Sequence, residues 1–179
     1  MAEFIDADIR VHRSFLAAMV EFMEEGRVRD GSMIGRDLAE YAGSWGDPEG
    51  FQRYVDETIA FALEETPRDP KWVPQRTLWW VDGTDYIGRF SIRLRLNDHL
   101  RETGGHIGYD VRRTRRLEGH ATAMLRAGLP VAASYGIESA LITCDVDNVG
   151  SRKVIESAGG VLEDERQGKL RYWVPTGQD

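Results

Sequence analysis

The chain has 179 residues, a length that suits one domain with one core, because a protein of this size hides roughly 70% of the surface its unfolded chain exposes. Hydrophobic residues make up 41% and charged residues 30%, with ordinary glycine and proline, which excludes a disordered, collagen-like or coiled-coil chain. The net charge of −7 argues against a nucleic-acid partner, which needs a broad cationic surface, and suits a cationic substrate better.

In chain order, Phe15, Leu16, Met19, Val20 and Met23 repeat on one helical face, behind Asp8 or Ser14 as cap and ahead of Gly26. A polar, glycine-bearing stretch runs from Val28 to Trp45. Asp47-Pro48-Glu49 then reads as a cap, a first-turn proline and a first-turn acid, opening a second amphipathic helix through Phe51, Tyr54, Val55, Ile59 and Leu63. Pro67, Pro70 and Pro74 make an extended crossing. Leu78 to Val81, a turn at Asp82-Gly83, and Tyr86 to Leu96 form a hairpin, followed by the polar loop Asn97 to Gly105 and a short strand, His106 to Val111.

Gly119 to Tyr135 is read as a helix that Pro130 kinks or ends. Ser139 to Cys144 is an apolar strand, Asp147 or Asn148 caps a helix that stops at Gly159-Gly160, and Val161 to Glu163 pairs with Lys169 to Val174 around Gln167-Gly168. This order predicts an α/β (α+β) domain around one sheet over 1–179, with a helical front end, 1–70, and a core, 77–174. The exposed final strands leave room for a second subunit, a homodimer.

Cys144 has no partner for an internal disulfide and little around it to build a zinc site, so no metal is expected and a reducing cytoplasm is the expected setting. Met1-Ala2-Glu3-Phe4 lacks the basic and apolar regions of a signal peptide, and no apolar run nears the roughly 20 residues of a membrane span, so neither export nor insertion is expected.

The richest chemistry lies in Tyr109-Asp110-Val111-Arg112-Arg113-Thr114-Arg115-Arg116-Leu117-Glu118-Gly119-His120-Ala121-Thr122. A strand ends, four arginines gather and a glycine opens a helix, so backbone N–H groups and the positive end of a helix dipole converge where a pyrophosphate fits. A helix start with a solvated basic flank has the same local pattern.

Arg116-Leu117-Glu118-Gly119-His120-Ala121 resembles the Gln/Arg-x-x-Gly-x-Gly/Ala loop of the GNAT superfamily of acyl-CoA-dependent N-acetyltransferases, behind a Tyr-Asp-Val-Arg strand end typical of it. Cys144 to Glu156 resembles that family's strand and Asn-led helix, with Asn148 and Ser151 in place. The resemblance covers about Thr77 to Val174 and is closest in pattern to bacterial acetyltransferases of this kind. It implies a mixed, mostly antiparallel sheet flanked by helices, whose central strands splay into a cleft for acetyl-CoA, the co-substrate.

Carried over residue by residue, the resemblance implies that Tyr109, Asp110 and Val111 bond pantetheine through their backbone and that Leu117, Glu118, Gly119, His120, Ala121 and Thr122 offer N–H groups to pyrophosphate. Arg116 takes the Gln/Arg position, Asn148 reaches the pantetheine amides, and Ser151 and Arg152 lie close by. The two variable loop positions, often basic or glycine, are Leu117 and Glu118 here, and Glu118 weakens anion binding.

The implied reaction is direct attack of an amine on the thioester through a tetrahedral intermediate. An amine with a pKa near 10 needs a base, and the oxyanion needs a donor, for which the Gly108-Tyr109 N–H groups are the candidates. Base candidates are Asp145, His106 and Glu102; capping, a satisfied sheet histidine and a solvated loop acid are their respective plain readings. The tyrosine acid of many relatives is missing at Val154-Ile155-Glu156, leaving Ser151, Tyr109 or water.

Trp79 and Trp80 point to opposite sheet faces and, with Trp72, suit the core better than a pocket. Arg93 and Arg95 share a strand face and suit a substrate carboxylate, or simple solvation and ion pairing. The first expectation is a small-molecule primary amine as acceptor, with no nucleic acid and no membrane; a protein amine stays open. The competing class is a non-catalytic acyl-CoA-binding regulatory module. A mononucleotide-binding fold rests on the glycine loop alone, without Gly-x-Gly-x-x-Gly or Gly-Lys-Ser/Thr.

Overall fold

The computed structural model describes residues 1–177. Its strands β1 (Glu3–Ile5), β2 (Gln75–Asp82), β3 (Asp85–Arg93), β4 (Ile107–Val111), β5 (Ser139–Asp145), β6 (Val161–Arg166) and β7 (Lys169–Pro175) form one seven-stranded sheet, ordered β1-β2-β3-β4-β5-β7-β6. Every pairing is antiparallel except that of β4 with β5. This is the mixed, mostly antiparallel sheet expected from the sequence.

The helices are α1 (His12–Glu24), α2 (Met33–Tyr41), α3 (Pro48–Ala60), α4 (Asp98–Glu102), α5 (His120–Ser134) and α6 (Val149–Ser157). Side chains that alternate along the strands serve two cores. On one face Phe15, Phe22, Trp45, Phe51 and Tyr54 of the front end close over Trp79 and Tyr86. On the other, Met124, Leu125 and Ile155 of α5 and α6 cover Trp80, Phe90 and Ile107. Trp79 and Trp80 are thus core residues of opposite faces.

Several elements differ from the sequence reading. The polar stretch Val28 to Trp45 contains α2: the Ser32 hydroxyl accepts from Gly35 N at 3.0 Å, and Ile34 and Leu38, one turn apart, are buried. Ile34, Leu38 and Tyr41 do follow the i, i+4, i+7 spacing, but the helix is shorter than the window of roughly 11–18 residues over which a period stands out. The loop Asn97 to Gly105 holds α4, capped where Asn97 Oδ1 accepts from Leu100 N at 2.9 Å. Pro130 does not end α5, which runs on to Ser134. Pro130 and Arg126, whose carbonyl loses its N–H partner, are both exposed, so water takes that bond. The strand from Tyr86 stops at Arg93 rather than Leu96, and the helix from Pro48 stops at Ala60 before Leu63.

Candidate active site

β4 and β5 part almost as soon as they meet. Their parallel register is the single pair Ile107 with Ile142, preceded by a bridge from Gly105. His106 N donates to Leu141 O at 2.7 Å, and Leu141 N donates back to the His106 ring at Nδ1, 2.9 Å. Beyond this vertex Gly108, Tyr109, Asp110 and Val111 pair with β3 on one side only, leaving backbone groups of Tyr109 on the edge of β4 that faces β5 unused, while the Val111 carbonyl accepts from Arg116 Nε at 2.9 Å. The mouth is spanned by one side-chain bond, Tyr109 Oη to Ser151 Oγ at 2.9 Å. Burial pushes the Tyr109 hydroxyl up to about 12 in spite of Ser151's hydrogen bond, so it stays protonated at neutral pH.

Downstream of β4 the loop turns through two left-handed residues, Leu117 (φ +64°) and Gly119 (φ +82°), into α5. Gly119 caps the helix without a side-chain bond, and the first N–H groups of any helix lack partners, so those of His120, Ala121 and Thr122 are available. A Cβ on Gly119 would meet nothing within 4 Å; its glycine is required by backbone conformation, not by space within the protein.

The four arginines of this loop are engaged elsewhere. Arg112 bonds Glu21 through Nε at 2.9 Å, Arg113 bonds Glu24 at 2.8 Å, and Arg116 grips both oxygens of Glu25 at 2.5 and 2.8 Å. Arg115 pairs with Asp85 and, at 2.9 Å, with Glu118. Burial opposes the charge of Glu21, but hydrogen bonds from Arg112 and Thr114 outweigh it and hold its carboxyl below the ordinary range. Arg112, Arg113 and Arg116 therefore tie the loop to the C-terminal end of α1, Arg115 ties it to β3, and the anion-binding capacity left over is that of the backbone. Glu118 is also bonded by His120 Nε2 at 3.1 Å, while His120 Nδ1 accepts from Trp80 Nε1 at 3.2 Å.

Asn148 Oδ1 accepts from Ser151 N at 3.0 Å as the cap of α6, which leaves its amide N–H₂ available. Arg152 is exposed and pairs along α6 with Glu156 at 2.9 Å. The three base candidates do not converge. Asp145 is exposed and held by Lys169 at 2.6 Å, and Glu102 is gripped by Arg166 at 2.9 and 3.3 Å. His106 alone sits at the vertex, where burial, with Arg101 and Arg93 nearby, pulls its pKa down to about 4. Cys144 is buried, and burial raises its thiol pKa.

The opposite face of the sheet carries a polar floor the sequence did not reveal. A cleft of about 370 Å³ lies between α2, α3 and β2, lined by Arg36, Asp37, Trp72, Gln75, Thr77 and Arg89 among others. Asp37 Oδ2 takes Arg89 Nη1 at 2.7 Å and Tyr54 Oη at 2.9 Å, all three groups buried. Thr77 is in register with Ser91, and Ser91 with Gly108, so the floor leads to the vertex in two strand spacings, roughly 10 Å. Of the strand pair Arg93 and Arg95, Arg95 is exposed and bonds Glu64 at 2.5 Å, whereas Arg93 turns inward.

Among the described residues no helix is long and apolar enough to cross a membrane, and no group of three or more His, Cys, Asp or Glu side chains is placed to hold a metal. A family model described as an acetyltransferase (GNAT) domain matches residues 33–161. No curated protein matches the sequence. The fold is shared with RimJ of Mycobacterium smegmatis solved with CoA-disulfide, at TM-score 0.67 and 16% identity over 97% of this chain and 81% of that one. It is shared also with the microcin C7 self-immunity acetyltransferase MccE, solved with acetyl-CoA and AMP, at TM-score 0.63 and 14% identity over 97% and 92% of the chains. The PaiA N-acetyltransferase of Thermoplasma acidophilum, solved with coenzyme A, gives 0.61 and 10% over 98% and 99%.

Proposed function

The chain belongs to the GNAT acetyltransferase family and is an acetyl-CoA-dependent N-acetyltransferase, and from there we propose that its acceptor is the primary amine of a small molecule. The observation that carries this reading is the parting of β4 from β5 at Ile107 and Ile142, beside a cleft on the face away from α5. A single domain of 1–179 is assumed, with the front end on the acceptor side. The buried Cys144 is taken as a reduced thiol, with the cytoplasm as the setting.

The residues present fit the co-substrate. The edge of Tyr109 and Val111 suits pantetheine, the backbone of Asp110 being turned to β3; Asn148 caps the helix whose Ser151 meets Tyr109, and the free N–H groups from Leu117 to Thr122 suit a pyrophosphate. Acetyl-CoA supplies an activated acetyl thioester. The acceptor would first lose an ammonium proton to solvent in the acceptor cleft; its nitrogen would then bond to the carbonyl carbon and shed a second proton to solvent, and the C–S bond would break with the departing sulfur taking up a proton.

We assign that last proton to Tyr109 Oη, replenished through Ser151, in place of the tyrosine that α6 lacks. The backbone N–H of Tyr109 is the donor for the developing charge on the carbonyl oxygen, since Gly108 turns its N–H to β3 in the antiparallel ladder. His106 is assigned to positioning: its Nδ1 lone pair is committed to Leu141 N, and a base of such low pKa draws little proton from an amine. Asp145 and Glu102 are bound in ion pairs away from the vertex.

A thermal-shift titration with acetyl-CoA, against ADP and dephospho-CoA, tests the cleft. At about 100 times its dissociation constant a ligand adds about 2.7 kcal/mol, or roughly 5 to 10 °C here. A saturable shift, largest for acetyl-CoA, followed by amine-dependent release of free thiol, is expected. A shift without thiol release from any amine favours the regulatory module; no shift at millimolar acetyl-CoA overturns the assigned cleft.

A further inference from the structure

Arg93 is a cation that the fold leaves unneutralised. Its Nη1 donates to the carbonyls of Gly104 and Gly105 at 2.9 and 3.1 Å, while among the described residues Nη2 and Nε have no partner and no carboxylate pairs with it. Unlike Arg89 Nε, these atoms are not sealed in the interior. Arg36 and Arg89 stand close enough to repel it. Their shared counter-ion, Asp37, is taken by Arg89 at 2.7 Å and Arg36 at 3.5 Å, and Asp110 is bonded by Arg27 at 3.0 Å. Burial first, then the two arginines, lowers the Arg93 pKa to about 10. Three guanidiniums, Arg36, Arg89 and Arg93, thus stand around the one carboxylate of Asp37, while the wider cleft also carries Glu40, Glu57 and Asp69 against Arg68.

The position matters as much as the charge. A Cβ on Gly108 would lie 3.8 and 3.9 Å from Arg93 Nη1 and Nη2 and 3.3 Å from Met33 Cε, so the guanidinium lies beside Gly108 at the vertex with only hydrogen between them. Nε and Nη2 form the edge of the guanidinium that matches the two oxygens of a carboxylate.

We propose that Arg93 binds a carboxylate of the acceptor, so that the substrate is a primary amine that also carries a carboxylate, an amino acid or close analogue, rather than a polyamine or plain alkylamine. The proposal rests on the transferase reading above and narrows its substrate class.

The test is acetyl-CoA-dependent thiol release with the α-amino acids, β-alanine and γ-aminobutyrate, against their carboxamides, alkylamines, polyamines and phosphoethanolamine. Wild-type protein is expected to prefer at least one carboxylate over its carboxamide by about 10- to 100-fold in kcat/KM, the size of a charge-assisted pair. Arg93→Gln is expected to erase that ratio, chiefly through KM, and Arg95→Gln to keep it. Because Arg93 also ties Gly104 and Gly105, each variant's melting shift with acetyl-CoA shows that it is folded, and the wild-type ratio needs no variant. Equal use of acids and amides, preference for phosphoethanolamine, or no reaction of any carboxylate while acetyl-CoA still binds, overturns the proposal alone. Failure to bind acetyl-CoA overturns the underlying reading as well.

Discussion

His106 and Leu141 are bonded in both directions, main chain to main chain at 2.7 Å and main chain to imidazole Nδ1 at 2.9 Å. The ring stands where the next carbonyl of a continuing ladder would be, so the last N–H of β5 before the opening is satisfied without holding the strands together further. His106→Ala leaves that buried N–H unpaired, at a cost of about 1–3 kcal/mol. The melting temperature is expected to fall by roughly 2 to 12 °C, which differential scanning calorimetry measures.

The same ring sets an acid limit. Its folded pKa, about 4, lies below the ordinary histidine value of 6.5, so between these pH values the unfolded chain binds the proton that the folded one refuses. This contribution to stability is complete above about 6.5 and is lost as pH falls toward about 4. Urea midpoints from pH 7 to 4 are expected to slope less in His106→Gln than in wild type.

Tyr109→Phe removes the proton donor at the mouth while keeping the ring packed on Phe90. A loss of about 10- to 100-fold in kcat is expected, the low end of acid catalysis because a thiolate leaves readily, with a smaller loss in Ser151→Ala. Steady-state thiol release at varied acetyl-CoA separates kcat from KM, and an unchanged kcat removes Tyr109 from the reaction.

With His106 neutral above about 4 and Tyr109 protonated below about 12, neither group at the vertex changes charge in the working range. Log kcat/KM is therefore expected to rise with unit slope from pH 6 to the acceptor's own pKa. An inflection near neutrality would restore an enzyme-borne base.

Asp37→Ala strands the Arg89 guanidinium, which is 3% exposed, without its carboxylate. Breaking a buried pair this way costs about 3–5 kcal/mol, whereas Asp37→Leu with Arg89→Met is expected to recover most of it. Chemical denaturation of both variants checks the difference.

What was readable in the chain was local. The strand end at Val111, the glycine that opens α5 and the Asn148 cap each announce themselves within a few residues, and the fold has all three; the left-handed φ of Gly119 is what the structure adds. The fate of Arg112, Arg113 and Arg116 was not readable, because their carboxylates lie on α1, far back in the sequence. Nor was the acceptor floor: Asp37 sits in a short helix inside a polar stretch, where the apolar period has little length to declare itself, and meets Arg89 across 52 positions. Arg93 and Arg95 alternate identically in the sequence, but the strand ends at Arg93, and only packing distinguishes its inward guanidinium from the one beside Glu64.

The clasp between the phosphate loop and α1 also orders events in time. Glu21 and Glu25 are each 91 residues ahead of the arginines that hold them, so during synthesis α1 leaves the ribosome long before its counter-ions exist. Until they arrive, the acidic end of the helix has nothing to dock against, and the loop has no brace. The first helix and the co-substrate loop thus mature together, and an interrupted chain that stops short of Arg112 holds a nascent helix with an unanswered negative charge.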